Sequence, residues 1–174
     1  MRLEYRSGPM AGVLLLFVAM VVAGCSGGWY ASKFAKPEGR IPFREAGVQQ
    51  TGVWGTGDLS IAYRYTLGDS AVNFAGEVTL ERRVSEFNSL RYLVCRVHFL
   101  NGEGRILDSR VLLSTAHREW LPHARTSFDR KLALPDGAVA FAFSYDGAAG
   151  DGGGASSSGG LRGGGSDWEF WSLP

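Results

Sequence analysis

Cysteine is scarce in this chain. There are two residues, Cys25 and Cys95, so at most one bridge can form within it. An excess of charge of one sign is lacking too. Eighteen Lys and Arg face 17 Asp and Glu, which gives no basic surplus to recommend nucleic acid as a partner and no run of like charge to make a solvated tail. Long apolar runs are also missing. The best stretch, MAGVLLLFVAMVV from Met10 to Val22, falls short of the ~20 residues that cross a bilayer. Catalytic signatures are absent as well. No G-x-S-x-G elbow occurs, and the glycine-rich Gly150–Gly154 lacks the Lys-Ser/Thr ending of a phosphate loop. Asp146 and Asp151 do not fall at the alternating positions of an EF-hand. Asn73, Asn88 and Asn101 are not followed by the Ser or Thr of a glycosylation site.

What is there begins at the amino end. Arg2 and Arg6 precede the apolar run, giving the positive start and ~7–15-residue hydrophobic stretch of an export signal. Small residues and a thiol then close it, as Val22-Ala23-Gly24-Cys25, followed by Ser26. This stretch resembles the lipobox of bacterial lipoproteins. The resemblance implies cleavage between Gly24 and Cys25, a diacylglyceryl group on the Cys25 sulfur and acylation of the new amino terminus. Small residues at such a site leave extended backbone open to a membrane protease. One acyl chain binds a membrane marginally while two or more hold stably, at ~0.8 kcal/mol per buried methylene. Lipidated Cys25 would therefore be a durable anchor needing no spanning helix. Ser26 is compatible, by the same resemblance, with export to the outer membrane of a Gram-negative envelope, facing the periplasm. An uncleaved helix and an ordinary secretory peptide are the alternatives, and without lipid a Cys25–Cys95 disulfide competes.

Residues 1–24 are thus expected to be a signal peptide and 25–56 a lipidated start and tether. The tether reading rests on Pro37, Gly39, Pro42 and mixed charge without a sustained period. Its aromatics Trp29, Tyr30 and Phe34 either rest at lipid headgroups or pack on the domain. From residue 57 the period becomes two. Leu59, Ile61, Tyr63 and Tyr65 share one face, and so do Val72, Phe74, Gly76, Val78 and Leu80. RYLVCRVHFL runs to Asn101-Gly102, a two-residue hairpin signal, and RILDSRVLLS returns. FDRKLALP, AFAFSY and DWEFWSLP supply further strands, with a turn at Pro135-Asp136-Gly137.

The expectation for 57–174 is an all-β domain, an antiparallel sandwich of about seven strands, immunoglobulin-like in architecture. It lacks the Cys–Trp–Cys spacing of an antibody domain. STAHREWLPHA (114–124) reads as a crossover loop with a short helix limited by Pro122, and Glu81-Arg82-Arg83 as a solvated strand face. Residues 146–166 hold ten of the 25 glycines and read as a disordered loop between two paired strands.

Candidate chemistry is thin. Cys95 alternates with Leu93, Val97 and Phe99 and reads as a small buried hydrophobe. His117 and His123 lack helical spacing and a third ligand, and His98 sits on a strand, so no metal or other cofactor is expected. Asp108, Glu119, Asp129 and Asp136 are possible acids with no spacing that selects a pair. Alternate positions Tyr92, Val94, Arg96, His98 and Leu100 make an apolar second face, covered either by the fold or by another protein. The functional expectation is a membrane-anchored envelope lipoprotein, a non-enzymatic binding or assembly module with a possible envelope protein as partner. The alternative is an envelope hydrolase whose site is built by loops.

Overall fold

The computed structural model describes residues 30–87, 89–119, 126–150 and 167–174. Residues 1–24, expected to be a signal peptide, and Cys25, Trp29, His123 and Asp151 lie outside them. Two antiparallel sheets pack face to face. One holds four strands: β2 (Gln49–Gly55), β3 (Leu59–Leu67), β4 (Ala71–Leu80) and β7 (Thr126–Ala133), in that order. The other runs β8 (Ala140–Gly150), β5 (Ser89–Leu100), β6 (Ile106–Glu119). Along the outer edge of β8, the two-residue β1 (Ile41–Pro42) pairs with Ala140–Phe141 and β9 (Asp167–Ser172) with Tyr145–Gly150. One helical turn, α1 (Arg82–Ser85), links the sheets after β4. The likeness to an immunoglobulin domain is one of layers, not of strand order. Here three consecutive strands form a meander in one sheet, whereas in that fold the chain changes sheet between its second and third strands.

Alternation builds the core as periodicity predicts. Leu59, Ile61, Tyr63 and Tyr65 point inward from β3, and Val72, Phe74 and Val78 from β4. Phe141 and Phe143 answer them from β8. Phe141 lies 5.1–5.8 Å, centroid to centroid, from the rings of Phe43, Tyr63, Tyr65, Phe74 and Phe143. Edge-on contacts dominate, as ring quadrupoles prefer. Cys95 is wholly buried among these residues, and burial pushes its thiol up to about 12.

Three glycines inside strands have a common reason. Gly52 lies opposite Tyr63, Gly76 opposite Phe128 and Gly147 opposite Phe170. In each pair the aromatic ring occupies the place a Cβ would take. The missing side chain lets the ring lie flat on the neighbouring strand, which offsets the weakness of glycine in a sheet.

Several expectations change. Strands begin at Ile41 and β2 fills Gln49–Gly55, so much of the supposed tether belongs to the sandwich. β2 hides its inward set, Gln50, Gly52 and Trp54, behind two glycines and a glutamine pair. The 146–166 loop loses its first five residues to β8, whose Asp146–Gly150 pair with β5 on one side and β9 on the other. Strand pairing and the Phe170 ring outweigh the poverty of side chains there. β6 continues to Glu119, so 114–119 is strand and not a helical crossover; 120–125 lie outside the described residues. Glu81-Arg82-Arg83 is the start of α1, not a strand face. The β5–β6 connection is longer than two residues. Asn101 Oδ1 accepts from the backbone N–H of Glu103 (3.1 Å) and Arg105 (2.9 Å), and Gly104, not Gly102, takes positive φ. Gly137 takes positive φ in the expected Pro-Asp-Gly turn.

The apolar second face of β5 is covered over part of its length. Residues 30–36 cross the outside of the five-stranded sheet as a strap. Ser32 N–H donates to the Ile106 carbonyl, Ile106 N–H to Lys33, and Lys36 N–H to Pro174. Beneath it Leu100, Ile106, Ala140, Ala142 and Ala35 form a second small core, with Tyr30 against it. Of the three aromatics near Cys25, Tyr30 therefore packs on the domain, and Phe34 stays exposed with the Arg105 guanidinium 5.3 Å from its ring centre.

Candidate functional site

The outer face of the four-stranded sheet carries an open recess. Cross-strand register sets its two rows. Thr51, Arg64, Ala75 and Asp129 form one, and Val53, Ala62, Glu77 and Ser127 the next. Ala62 and Ala75 on the central strands keep the floor low, and the taller Arg64, Glu77, Asp129 and Arg130 stand around it. The depression holds about 850 Å³. A smaller one of about 390 Å³ continues it, sharing Arg64 and Asp129 and adding Gln49, Thr66 and Asn73. Charges of both signs interleave. Every aromatic of these strands points inward, so the face offers no stacking platform for a sugar or a base. Its chemistry suits a polar surface of mixed charge.

The most catalytic-looking group lies elsewhere and is closed. His98 is wholly buried under the strap. Its Nδ1 is 2.7 Å from Ser109 Oγ and its Nε2 2.7 Å from Ser144 Oγ. The Tyr30 ring meets the imidazole edge-on at 4.6 Å. Burial, assisted by the Arg96 guanidinium, lowers the imidazole to about 4. A neutral ring donates through one nitrogen and accepts through the other, and two hydroxyls satisfy both. Ser144 is fully buried too, so a substrate has no path to the imidazole or to that hydroxyl in this conformation. The cluster is a polar clip that seats the strap.

A second polar cluster ties the β2–β3 turn to the opposite sheet. The Tyr145 hydroxyl donates to Asp58 Oδ2 (2.8 Å) and lies 2.7 Å from Thr56 Oγ1. Burial leads the causes that hold this hydroxyl up at about 12. A third feature is a cleft of about 340 Å³ between α1 and β9, lined by Arg83, Glu86, Phe87 and Trp168. Arg83 sits 4.6 Å over the Trp168 ring, and the buried Trp168 Nε1 finds no acceptor among the described residues.

The residues singled out from sequence do not converge. Asp108, on β6, binds Arg110 and its own neighbour's N–H. Asp129 stands in the other sheet, Asp136 in the β7–β8 turn, and Glu119 at the end of β6. Asp146 pairs with Arg96. His117 lies on β6, and its supposed companion His123 is outside the described residues. No three His, Cys, Asp or Glu side chains are grouped to hold a metal among the described residues. Sequence reasoning missed the Ser–His–Ser clip and the sheet recess. The apolar second face of β5 is the one signal that pointed to the clip. The recess follows from small residues, Ala62 and Ala75, that alternation alone assigns to solvent. No family model, curated protein or solved structure matches the chain.

Proposed function

We propose that this protein is a lipid-anchored component of a bacterial cell envelope, and that its sandwich is a non-enzymatic binding or assembly module. The observation that supports this most is a distance along the chain. Cys25 of the lipobox-like stretch stands five residues before Tyr30, which packs on the domain. An anchored module needs a lipid attachment point followed by a stable fold, and the two are adjacent here. The recess on the four-stranded sheet is the surface we assign to a partner. Its interleaved Arg64, Glu77, Asp129 and Arg130 favour a polar protein surface over a glycan or a nucleic acid. An outer-membrane position facing the periplasm fits Ser26.

The test is fractionation of cells producing the wild type and Cys25→Ser. The wild type should sediment with membranes and enter detergent. The variant should appear as an unprocessed precursor or as released protein. A processed variant that still sediments with membranes contradicts the lipid anchor. For the recess, Arg64→Glu paired with Asp129→Lys should abolish crosslinking to the partner while leaving the melting temperature within about 2 °C, since exposed substitutions rarely exceed ±0.5 kcal/mol.

A further inference from the structure

The strap covers only part of the outer face of the five-stranded sheet. Beyond it the face is open and carries several large apolar side chains, with Ser114 on β6 and Glu169 on the edge strand β9 exposed on the same side. Val94 on β5, Asp146 on β8 and Trp171 on β9 lie directly opposite one another, and Arg96 lies opposite Val111 on β6. Phe170 fills the core, so Trp171 points outward and is 64% exposed. Val111 is 45% exposed, Leu173 50% and Tyr92 38%. Phe34 on the strap adds to the margin of the same face. The two charges at its centre, Arg96 and Asp146, neutralise each other in an ion pair. The opposite outer face, on the four-stranded sheet, has only Val53 as a large exposed hydrophobe.

We propose that this outer face of the five-stranded sheet rests on the lipid surface to which the chain is anchored. The inference rests on the lipid-anchor reading of Cys25. Tyr30 lies against His98, within the five-stranded sheet's outer face and not at a loop tip. From Cys25 to Tyr30 there are five residue steps, which span at most about 18 Å even when fully extended. The acyl chains are therefore tethered beside this face, and the opposite sheet, on the far side of the sandwich, is turned away from them. The side chains suit the place. Trp and Tyr favour the headgroup level of a bilayer, and an internally neutralised ion pair adds no net charge to be desolvated. Docked this way, the protein presents the polar recess of the other sheet to the aqueous side.

The test uses the mature lipidated protein in phosphatidylethanolamine–phosphatidylglycerol vesicles, with a nitroxide introduced through Val111→Cys, Trp171→Cys or, on the opposite sheet, Val53→Cys. Cys95 is buried and the sulfur of Cys25 is acylated, so the label goes to the introduced thiol. The reading is the ratio of collisions with lipid-soluble oxygen to collisions with a water-soluble nickel complex. It should be severalfold higher at positions 111 and 171 than at 53. Intact mass of the same samples reports acylation separately. Acylated protein with equal ratios at all three positions overturns the docking and leaves the anchor standing, as expected if the face is kept for another protein. A higher ratio at 53 overturns it in favour of the reverse orientation. Protein without acyl groups overturns the anchor, and the docking falls with it.

Discussion

His98 concentrates the physical tension of the molecule in one side chain. It is buried neutral, with burial the main cause of its low affinity for protons and Arg96 the lesser one. In the unfolded chain the imidazole titrates near 6.5 and in the folded chain near about 4. Below pH 6.5 the unfolded chain takes up a proton that the folded chain refuses. Stability is therefore fully present above that pH and falls as pH drops from about 6.5 toward about 4, by on the order of 3 kcal/mol. Urea melts at stepped pH should show this slope in the wild type and lose it in His98→Asn, whatever that variant's overall stability. Equal slopes in the two would mean that the imidazole is not buried neutral. Cys95 gives a simpler expectation. With its thiol pushed up to about 12 by burial, it should resist maleimide at pH 8 in the folded protein and react once denatured. Labelling of the folded protein at the rate of the denatured one would contradict the burial.

At the scale of strands, glycine–aromatic pairing explains what composition obscures. A Cβ at Gly76 would come within 2.5 Å of the Ala62 carbonyl oxygen and 2.8 Å of the Phe128 ring. Gly76→Ala should lower stability by about 1–3 kcal/mol, and Phe141→Ala, which removes the central ring, by about 3–5 kcal/mol. Denaturant melts measure both, and a neutral Gly76→Ala would mean that the ring does not lie over the strand. β9 is tested by deletion. Replacing 151–166 with a short turn between the paired Gly150 and Asp167 should leave the melting temperature nearly unchanged. Removing 167–174 should lower it by roughly 10 °C, because Phe170 and Trp168 leave the core cluster. The strands legible in the sequence were those with strong alternation, such as Leu59–Tyr65 and Val72–Leu80. β2 and the second half of β8 were not, because Gly52 and Gly147 hand their inward positions to Tyr63 and Phe170 on neighbouring strands. A period-two pattern records a strand's own side chains and misses a face filled from next door.

At the scale of the whole molecule, the two outer faces differ in kind. One sheet turns a polar recess outward. The other shows apolar and aromatic side chains, half roofed by a strap whose Tyr30 lies close in sequence to Cys25. The sandwich was legible in period and turn chemistry. The strap was not, because Tyr30–Lys36 has no period and is held by backbone pairing to Ile106 and Pro174, residues far away in sequence. For the same reason the 25–56 stretch looked like a tether. The polar recess was equally hidden, since its floor is made of alanines whose meaning depends on the strands beside them. The central claim, that lipid on one sulfur holds this domain at a membrane, is tested most directly by intact mass of the protein purified from membranes. The account predicts a chain beginning at Cys25 and heavier than its sequence by a diacylglyceryl group, with or without a further acyl chain. A product retaining residues 1–24, or one beginning at Cys25 with a bare thiol, would contradict it.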